Sequence, residues 1–363
     1  MDVLNLAVQI ATVRKLRYCD RDIDWPAGHP SCPAPSWLRL FFGRAPRIGD
    51  CAQLGYCHAN RIQLPAQHSE SRATASHFAI GSDRQDEQQT MTGNQQQALR
   101  GKVALITGSG RGLGRAFAER LAAMGCEVGI HGMREHGPSE YGEGTTLTET
   151  AAQIGDTFAV RSLPVLGDLT LPDDVARVMQ DVTQGLGPID ILVHNAGGDI
   201  AAAGGKPNPN DAVMIKLEDT RSVLDRNLLS TILVCQQVSR AMMPRKTGRI
   251  ITISSISAFR GSELGAMYST AKAAVVEYTR CLAAQLRPYN INVNSLAPGD
   301  TRTGRFLGTR EVDQTRMVSD GTLDRIALVD EVARVVEFLA GPLGDFVTGQ
   351  ALRVDGGSQL WPS

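Results

Sequence analysis

The chain has 363 residues, 42% of them hydrophobic and 21% charged, with a formal net charge of -1. This is a globular composition, and so small a charge gives no general attraction to nucleic acid or to an anionic membrane. No apolar run approaches the ~18 residues of a membrane span, and the first twelve residues lack the basic start and small-residue cleavage pattern of a secretory signal.

Without an export signal, the seven scattered cysteines are expected to be reduced thiols in a cytoplasmic setting. Residues 1–97 differ from the rest. They hold four cysteines (19, 32, 51 and 57), a proline-punctuated stretch from Pro26 to Pro46, and a polar run over 81–97, with no sustained period of 2 or 3.6 after the first dozen residues. Cys51, Cys57 and His58 fit no common zinc-ligand spacing, so no metal is expected. The expectation is a poorly structured extension or a non-native start, with Met91 as the alternative beginning and one domain over 98–363.

From Lys102 the pattern is regular. The apolar run Lys102–Thr107 reads as a buried parallel strand. The glycine-rich turn Thr107–Gly114 then opens a helix that runs to Met124, and Cys126–His131 is a second strand. Glycines in such a turn let the backbone approach a pyrophosphate, and the helix N-terminus offers free N–H groups. Helix then strand follow around 147–154 and 158–166, ending at Asp168-Leu169. A helix over 172–184 precedes a fourth strand, 189–194, which ends in Asn195-Ala196-Gly197. One helix is expected from Glu218 through Asn227 to Met243. Strands at 249–254, 290–297 and 350–354 and helices after Tyr268 and over 330–339 complete the alternation. That alternation predicts an α/β fold: a doubly wound, parallel, Rossmann-like sheet in a single domain.

Tyr268 and Lys272 stand four apart at the start of a helical stretch, on one face. A nearby ammonium favours phenolate, so this spacing predicts a phenol pKa lowered from its usual value of about 10.

Taken in order, these motifs resemble the short-chain dehydrogenase/reductase family from about Leu99 to the C-terminus. The resemblance implies that Gly108, Ser109, Arg111, Gly112, Leu113 and Gly114 form the cofactor turn. Asp168 and Leu169 would lie beside the adenine, Asn195, Ala196 and Gly197 would form the Asn-Ala-Gly signature, and Pro298, Gly299 and Thr303 would lie beside the nicotinamide. It implies a catalytic set of Asn227, Ser255, Tyr268 and Lys272. Tyr268 would exchange the proton with the substrate oxygen and Ser255 would hold that oxygen. Lys272 would lower the phenol pKa and bind the nicotinamide ribose, and Asn227 would position a water toward Lys272. The implied activity is interconversion of an alcohol and a carbonyl with NAD(P)(H). The motif set is most like a 3-oxoacyl-thioester reductase; a sugar, polyol or cyclic diol dehydrogenase is the alternative, and a non-turning-over cofactor-binding scaffold or sensor is the alternative of another class.

His194 stands where the family often has a second Asn, and local packing or hydrogen bonding, without a catalytic part, is expected of it. The long connections after His131 and after Asn195 are expected to shape access to the site. Gly132, rather than an acid, falls at the end of the second strand. With Arg111 in the turn and Arg134 just beyond, this predicts NADP(H) over NAD(H), because guanidinium matches phosphate with a planar fork. Substrate is expected to meet 198–211, 258–267 and 303–322, with Arg260 and Glu263 as polar candidates. Family members usually assemble as dimers or tetramers, and Val275, Val276, Cys281 and Leu282 are the expected apolar contacts for self-association.

Overall fold

A computed structural model describes residues 97–360. The expectation for the N-terminal extension therefore lies outside the described residues.

Seven strands form one sheet: β1 (Val103–Thr107), β2 (Glu127–Gly132), β3 (Ser162–Leu166), β4 (Ile191–His194), β5 (Gly248–Ile253), β6 (Ile291–Pro298) and β7 (Ala351–Val354). Their order is β3-β2-β1-β4-β5-β6-β7, and every pairing is parallel. The winding reverses between β1 and β4. Such a reversal opens a crevice at the carboxyl ends of the strands.

The helices are α1 (Gly112–Ala123), α2 (Leu147–Phe158), α3 (Pro172–Gly185), α4 (Leu217–Leu224), α5 (Ser230–Met242), α6 (Ala266–Leu286), the short α7 (Gly304–Gly308) and α8 (Val329–Ala340). On one face of the sheet α1, α2 and α8 bury Phe117, Leu121, Leu147, Ile154, Val332 and Val336. On the other, α3, α5 and α6 bury Val178, Val182, Val238, Met242, Leu282 and Leu286. Both faces are covered, so β1 is apolar along its whole length apart from Thr107, with all five residues buried.

The sequence boundaries shift in two informative places. The third strand was expected from Phe158, yet α2 runs on to Phe158, Ala159 adopts a left-handed conformation, and β3 begins at Ser162. Phe158 packs on the α1–α2–α8 core, which favours one more helical turn. Pro164 is tolerated because β3 is the outermost strand. Second, the single helix expected through Asn227 is three segments. A π turn, Asp225–Leu229, joins α4 to α5, and the Ser230 N–H donates to the Asp225 carbonyl.

The apolar residues expected to mediate assembly are corrected. Val275, Val276 and Leu282 are 0%, 4% and 6% exposed within this chain, so they pack against their own core, and Cys281 alone of the four is exposed.

Candidate active site

The carboxyl ends of the strands frame a cleft of about 930 Å³. It gathers every expected cofactor and catalytic residue except Ser109 and Asn227, and of the two polar substrate candidates it is lined by Arg260 but not by the exposed Glu263. Ser109 and Asn227 serve the cleft from behind. The Ser109 hydroxyl donates to the Ile106 carbonyl (2.7 Å) and accepts from the His131 N–H (2.9 Å), tying the glycine turn to β2. Asn227 is fully buried. Its Oδ1 accepts from Gly198 N–H (2.9 Å), and its Nδ2 donates to the carbonyls of Gly198 (2.9 Å) and Val223 (2.8 Å). The amide thus holds the Asn195–Gly198 turn rather than reaching toward Lys272. Gly197 is obligatory there: its φ is +146°, and a Cβ would lie 2.6 Å from Asn227 Oδ1.

The glycine turn is built for close backbone approach. Gly108 sits at φ +62°, and a Cβ there would meet the Ala196 Cα at 3.0 Å. The Asn195 amide braces the same turn, donating to the Thr107 and Gly108 carbonyls at 3.2 and 3.0 Å. The N–H groups at the start of α1 hold an anion: Glu143 Oε2 accepts from Gly112 N–H at 2.5 Å, while its Oε1 accepts from Gly304 N–H at 2.5 Å. A carboxylate held in this way is a local stand-in for a phosphate, so the turn fits a dinucleotide cofactor. Thr303 faces the turn: a Cβ on Gly112 would sit 3.5 Å from its methyl group. Pro298, Gly299, Asp168 and Leu169 line the cleft.

Two buried histidines anchor this scaffold. His131 Nδ1 accepts from Gly108 N–H (3.2 Å) and its Nε2–H donates to the Gly167 carbonyl (3.1 Å), a pairing that only the neutral ring can make. Burial lowers its pKa to about 4. His194 pairs with the Thr107 hydroxyl (3.2 Å) and lies 3.4 Å from Ser230 Oγ, and burial lowers it to about 3. Thr107 Oγ1 accepts from the N–H groups of both Asn195 and Ala196, each at 3.0 Å, so its proton is free to go to His194. The local role expected of His194 agrees with these contacts.

At the other end of the cleft Ser255, Tyr268 and Lys272 line the wall together, and the Ser255 hydroxyl donates to Ser257 Oγ at 3.2 Å. Ser255 precedes a 3₁₀ turn whose Ser257 N–H it accepts at 3.1 Å, which fixes its rotamer. Lys272 is 4% exposed. Its Nζ donates to the Ile253 carbonyl at 2.8 Å and lies 5.7 Å from the Tyr268 ring centre. The expected electrostatics are corrected here. Burial raises the Tyr268 phenol, the neighbouring Ser255 hydroxyl opposes it, and the strongest charge acting on it is Arg305 rather than Lys272. Lys272 itself falls to about 8, first through burial and then through Arg305.

The adenosine half also differs from expectation. Arg111 forms an ion pair with Glu140 at 2.8 Å and stacks on Tyr141 at 4.4 Å. The space beside Gly132 is taken by Leu147, whose methyl groups would lie 3.2 and 3.3 Å from a Cβ there. Arg134 lies exposed on the cleft wall, and Glu135 is turned to the Thr148 N–H (3.0 Å). Sequence reasoning missed Glu140, Glu143 and His131. The first two lie in a loop without a motif, and the third belongs to a strand whose side-chain direction only the register fixes.

Among the described residues no helix is long and apolar enough to cross a membrane, and no cluster of three or more His, Cys, Asp or Glu is arranged to hold a metal.

The family model described as short chain dehydrogenase matches residues 102–313. A cyclohexanol dehydrogenase of Rhodococcus sp. (strain TK6) is 36% identical over 269 residues, covering 71% of this chain and 96% of that protein. The 3-oxoacyl-[acyl-carrier-protein] reductase of Aquifex aeolicus is 34% identical over 261 residues, covering 71% and 98%. Among solved structures, an actinorhodin polyketide ketoreductase with NADPH aligns with a TM-score of 0.63 at 28% identity, covering 72% of this chain and 98% of that one. A 7α-hydroxysteroid dehydrogenase complexed with NADH and 7-oxo glycochenodeoxycholic acid aligns at 0.62 and 26%, covering 73% and 96%.

Proposed function

Because the chain belongs to the short-chain dehydrogenase family and is an NAD(P)-dependent oxidoreductase of the alcohol/carbonyl type, we propose that Ser255, Tyr268 and Lys272 do its chemistry on a small-molecule substrate, with Asn227 as their support. The observation that carries the reading is that Ser255, Tyr268 and the buried Lys272, its Nζ 5.7 Å from the Tyr268 ring centre, line the same cleft as the glycine turn.

The nicotinamide, when bound, supplies or accepts the hydride. Tyr268 gives its phenolic proton to the substrate oxygen during reduction and takes it back during oxidation. Ser255 donates a hydrogen bond to the same oxygen. A phenol whose pKa burial holds high keeps its proton near neutral pH, the form that can give it to the substrate oxygen during reduction. Lys272, whose Nζ donates to the Ile253 carbonyl, would hold the ribose hydroxyls of the bound cofactor. Asn227 keeps Gly198 and the π turn in register, which holds the floor beneath the nicotinamide end.

The substrate class follows the 3-oxoacyl-thioester reductases, as the Aquifex aeolicus relative supports. The similarity to cyclohexanol dehydrogenase, at 36%, favours a second reading, a cyclic alcohol or ketone. NADP(H) is preferred over NAD(H): β2 ends at Gly132 without a carboxylate, and Arg134 is the exposed cation beside it. Arg111, tied to Glu140, has the lesser part. A cytoplasmic location and a homo-oligomer built on outward faces of α5 and α6 belong to the same proposal.

Tyr268→Phe removes the proton donor and leaves the cofactor cleft whole. Reduction of an acyl-thioester and cyclic-ketone panel falls by at least ~10²-fold, while cofactor affinity by fluorescence titration is retained. Undiminished turnover in this variant refutes the mechanism.

A further inference from the structure

The substrate half of the cleft is richer in cations than the reaction requires. Lys206, Arg226, Arg260, Arg305 and Arg310 line it, against the carboxylates of Asp199 and Asp300. Arg310 is engaged, stacked on Phe306 at 4.3 Å and 3.7 Å from Asp300. Arg305 is different. It opens the segment after Thr303 and lies over the Asn195–Gly198 turn, so close that a Cβ at Gly198 would overlap its guanidinium. Its Nη2 donates to the Asp199 main-chain carbonyl at 3.1 Å. Neither Arg305 nor Lys206 has an ion pair with a described carboxylate.

The cations also crowd one another. Lys206 is lowered by burial and by the charges of Arg310 and Arg305, with Asp199 only partly offsetting them. Arg305 lines the same cleft as Tyr268 and Lys272 and lies over the Gly198–Asp199 turn there. Arg305 is half-buried in the cleft, whereas Lys206 and Arg310 are exposed at its rim. A guanidinium with donors to spare matches a carboxylate in a planar, two-bond geometry. The neighbouring walls, Ile200, Ile256, Leu264 and Phe306, are apolar.

We propose that the substrate is an oxo-acid or hydroxy-acid, with an apolar body and a carboxylate near its carbonyl, and that Arg305, assisted by Lys206, receives that carboxylate. The inference rests on the alcohol/carbonyl reading above and sets a free oxo- or hydroxy-acid in place of the thioester as its substrate. Arg305 then sets specificity: it selects the charged substrate and orients its carbonyl toward Tyr268 and Ser255.

The test uses the full-length chain and a panel of cyclic and open-chain oxo-carboxylates, each paired with its own methyl ester and assayed with NADPH and NADH. In the wild type, kcat/KM favours the carboxylate over its ester by at least ~10-fold for the fitting pairs, the value of one charge-assisted contact. Arg305→Gln brings that ratio toward one, chiefly through KM of the carboxylate, and Arg305→Lys restores part of it. Esters that match or exceed their acids across the panel overturn the proposal. So does an Arg305→Gln variant that lowers both members equally, which marks a structural or cofactor-binding role. A wild type that reduces neither member of any pair yet reduces an acyl thioester or a cyclic ketone overturns the oxo-acid proposal and leaves the oxidoreductase reading standing, whereas inactivity on every carbonyl tested counts against both.

Discussion

Protonating His131 sets its ring against the glycine turn. Nδ1 now accepts the Gly108 N–H, and a proton on Nδ1 would place two N–H groups face to face at 3.2 Å in a site 3% exposed. The only favourable charges nearby are Asp168 and Asp174, and burial outweighs them, leaving a pKa of about 4. The unfolded value is about 6.5. A folded-state pKa depressed in this way means that the unfolded chain binds the extra proton first. The stabilisation is therefore fully present above pH 6.5 and is lost as pH falls through 6.5 toward 4. At pH 5 the loss from this residue comes to about 2 kcal/mol. Urea unfolding of wild type and His131→Gln at pH 7.5 and pH 5.0 isolates it. The wild type loses about 2 kcal/mol more across that interval than the variant, whatever the variant's stability at pH 7.5. His194 is neutral and buried in both proteins, so its own acid sensitivity cancels in the comparison. Equal losses in the two proteins would refute the reasoning.

Arg134→Ala raises KM for NADPH by ~10-fold or more and leaves that for NADH nearly unchanged; equal effects on both cofactors, or a wild type faster with NADH, contradict the phosphate role. Gly197→Ala meets both a positive φ and the Asn227 amide, costs ~1–3 kcal/mol, and lowers Tm as read by calorimetry together with turnover. Sedimentation velocity at micromolar concentration gives a dimer or tetramer, and a fully active monomer would refute self-association.

The sheet and the cofactor turn were legible because their signals are local. Apolar runs bounded by glycine mark buried strands, and the Tyr268–Lys272 spacing fixes a shared helix face whatever surrounds it. What escaped depends on approach between distant segments. The π turn at Asn227 adds no residue type that a helix forbids; it exists because the Asn227 side chain must reach Gly198, twenty-nine residues earlier. The expected effect of Lys272 on Tyr268 failed for a related reason. Spacing gives proximity but not burial, and burial governs both pKa values. Val275, Val276 and Leu282 looked like contact residues because helical periodicity cannot say which neighbour an apolar face meets. Glu143 carries no motif, since its meaning comes only from Gly112 and Gly304 lying on either side of it.

That bridging carboxylate has a kinetic consequence. Cofactor phosphates and Glu143 need the same N–H groups, so loading is an exchange of one anion for another rather than simple filling. The exchange frees Gly304 at the head of the segment that bears Arg305. Coenzyme entry therefore readies the substrate half, and turnover should be ordered, with coenzyme first on and last off. Product-inhibition patterns should show the oxidised coenzyme competing with the reduced form, while the alcohol product competes with neither.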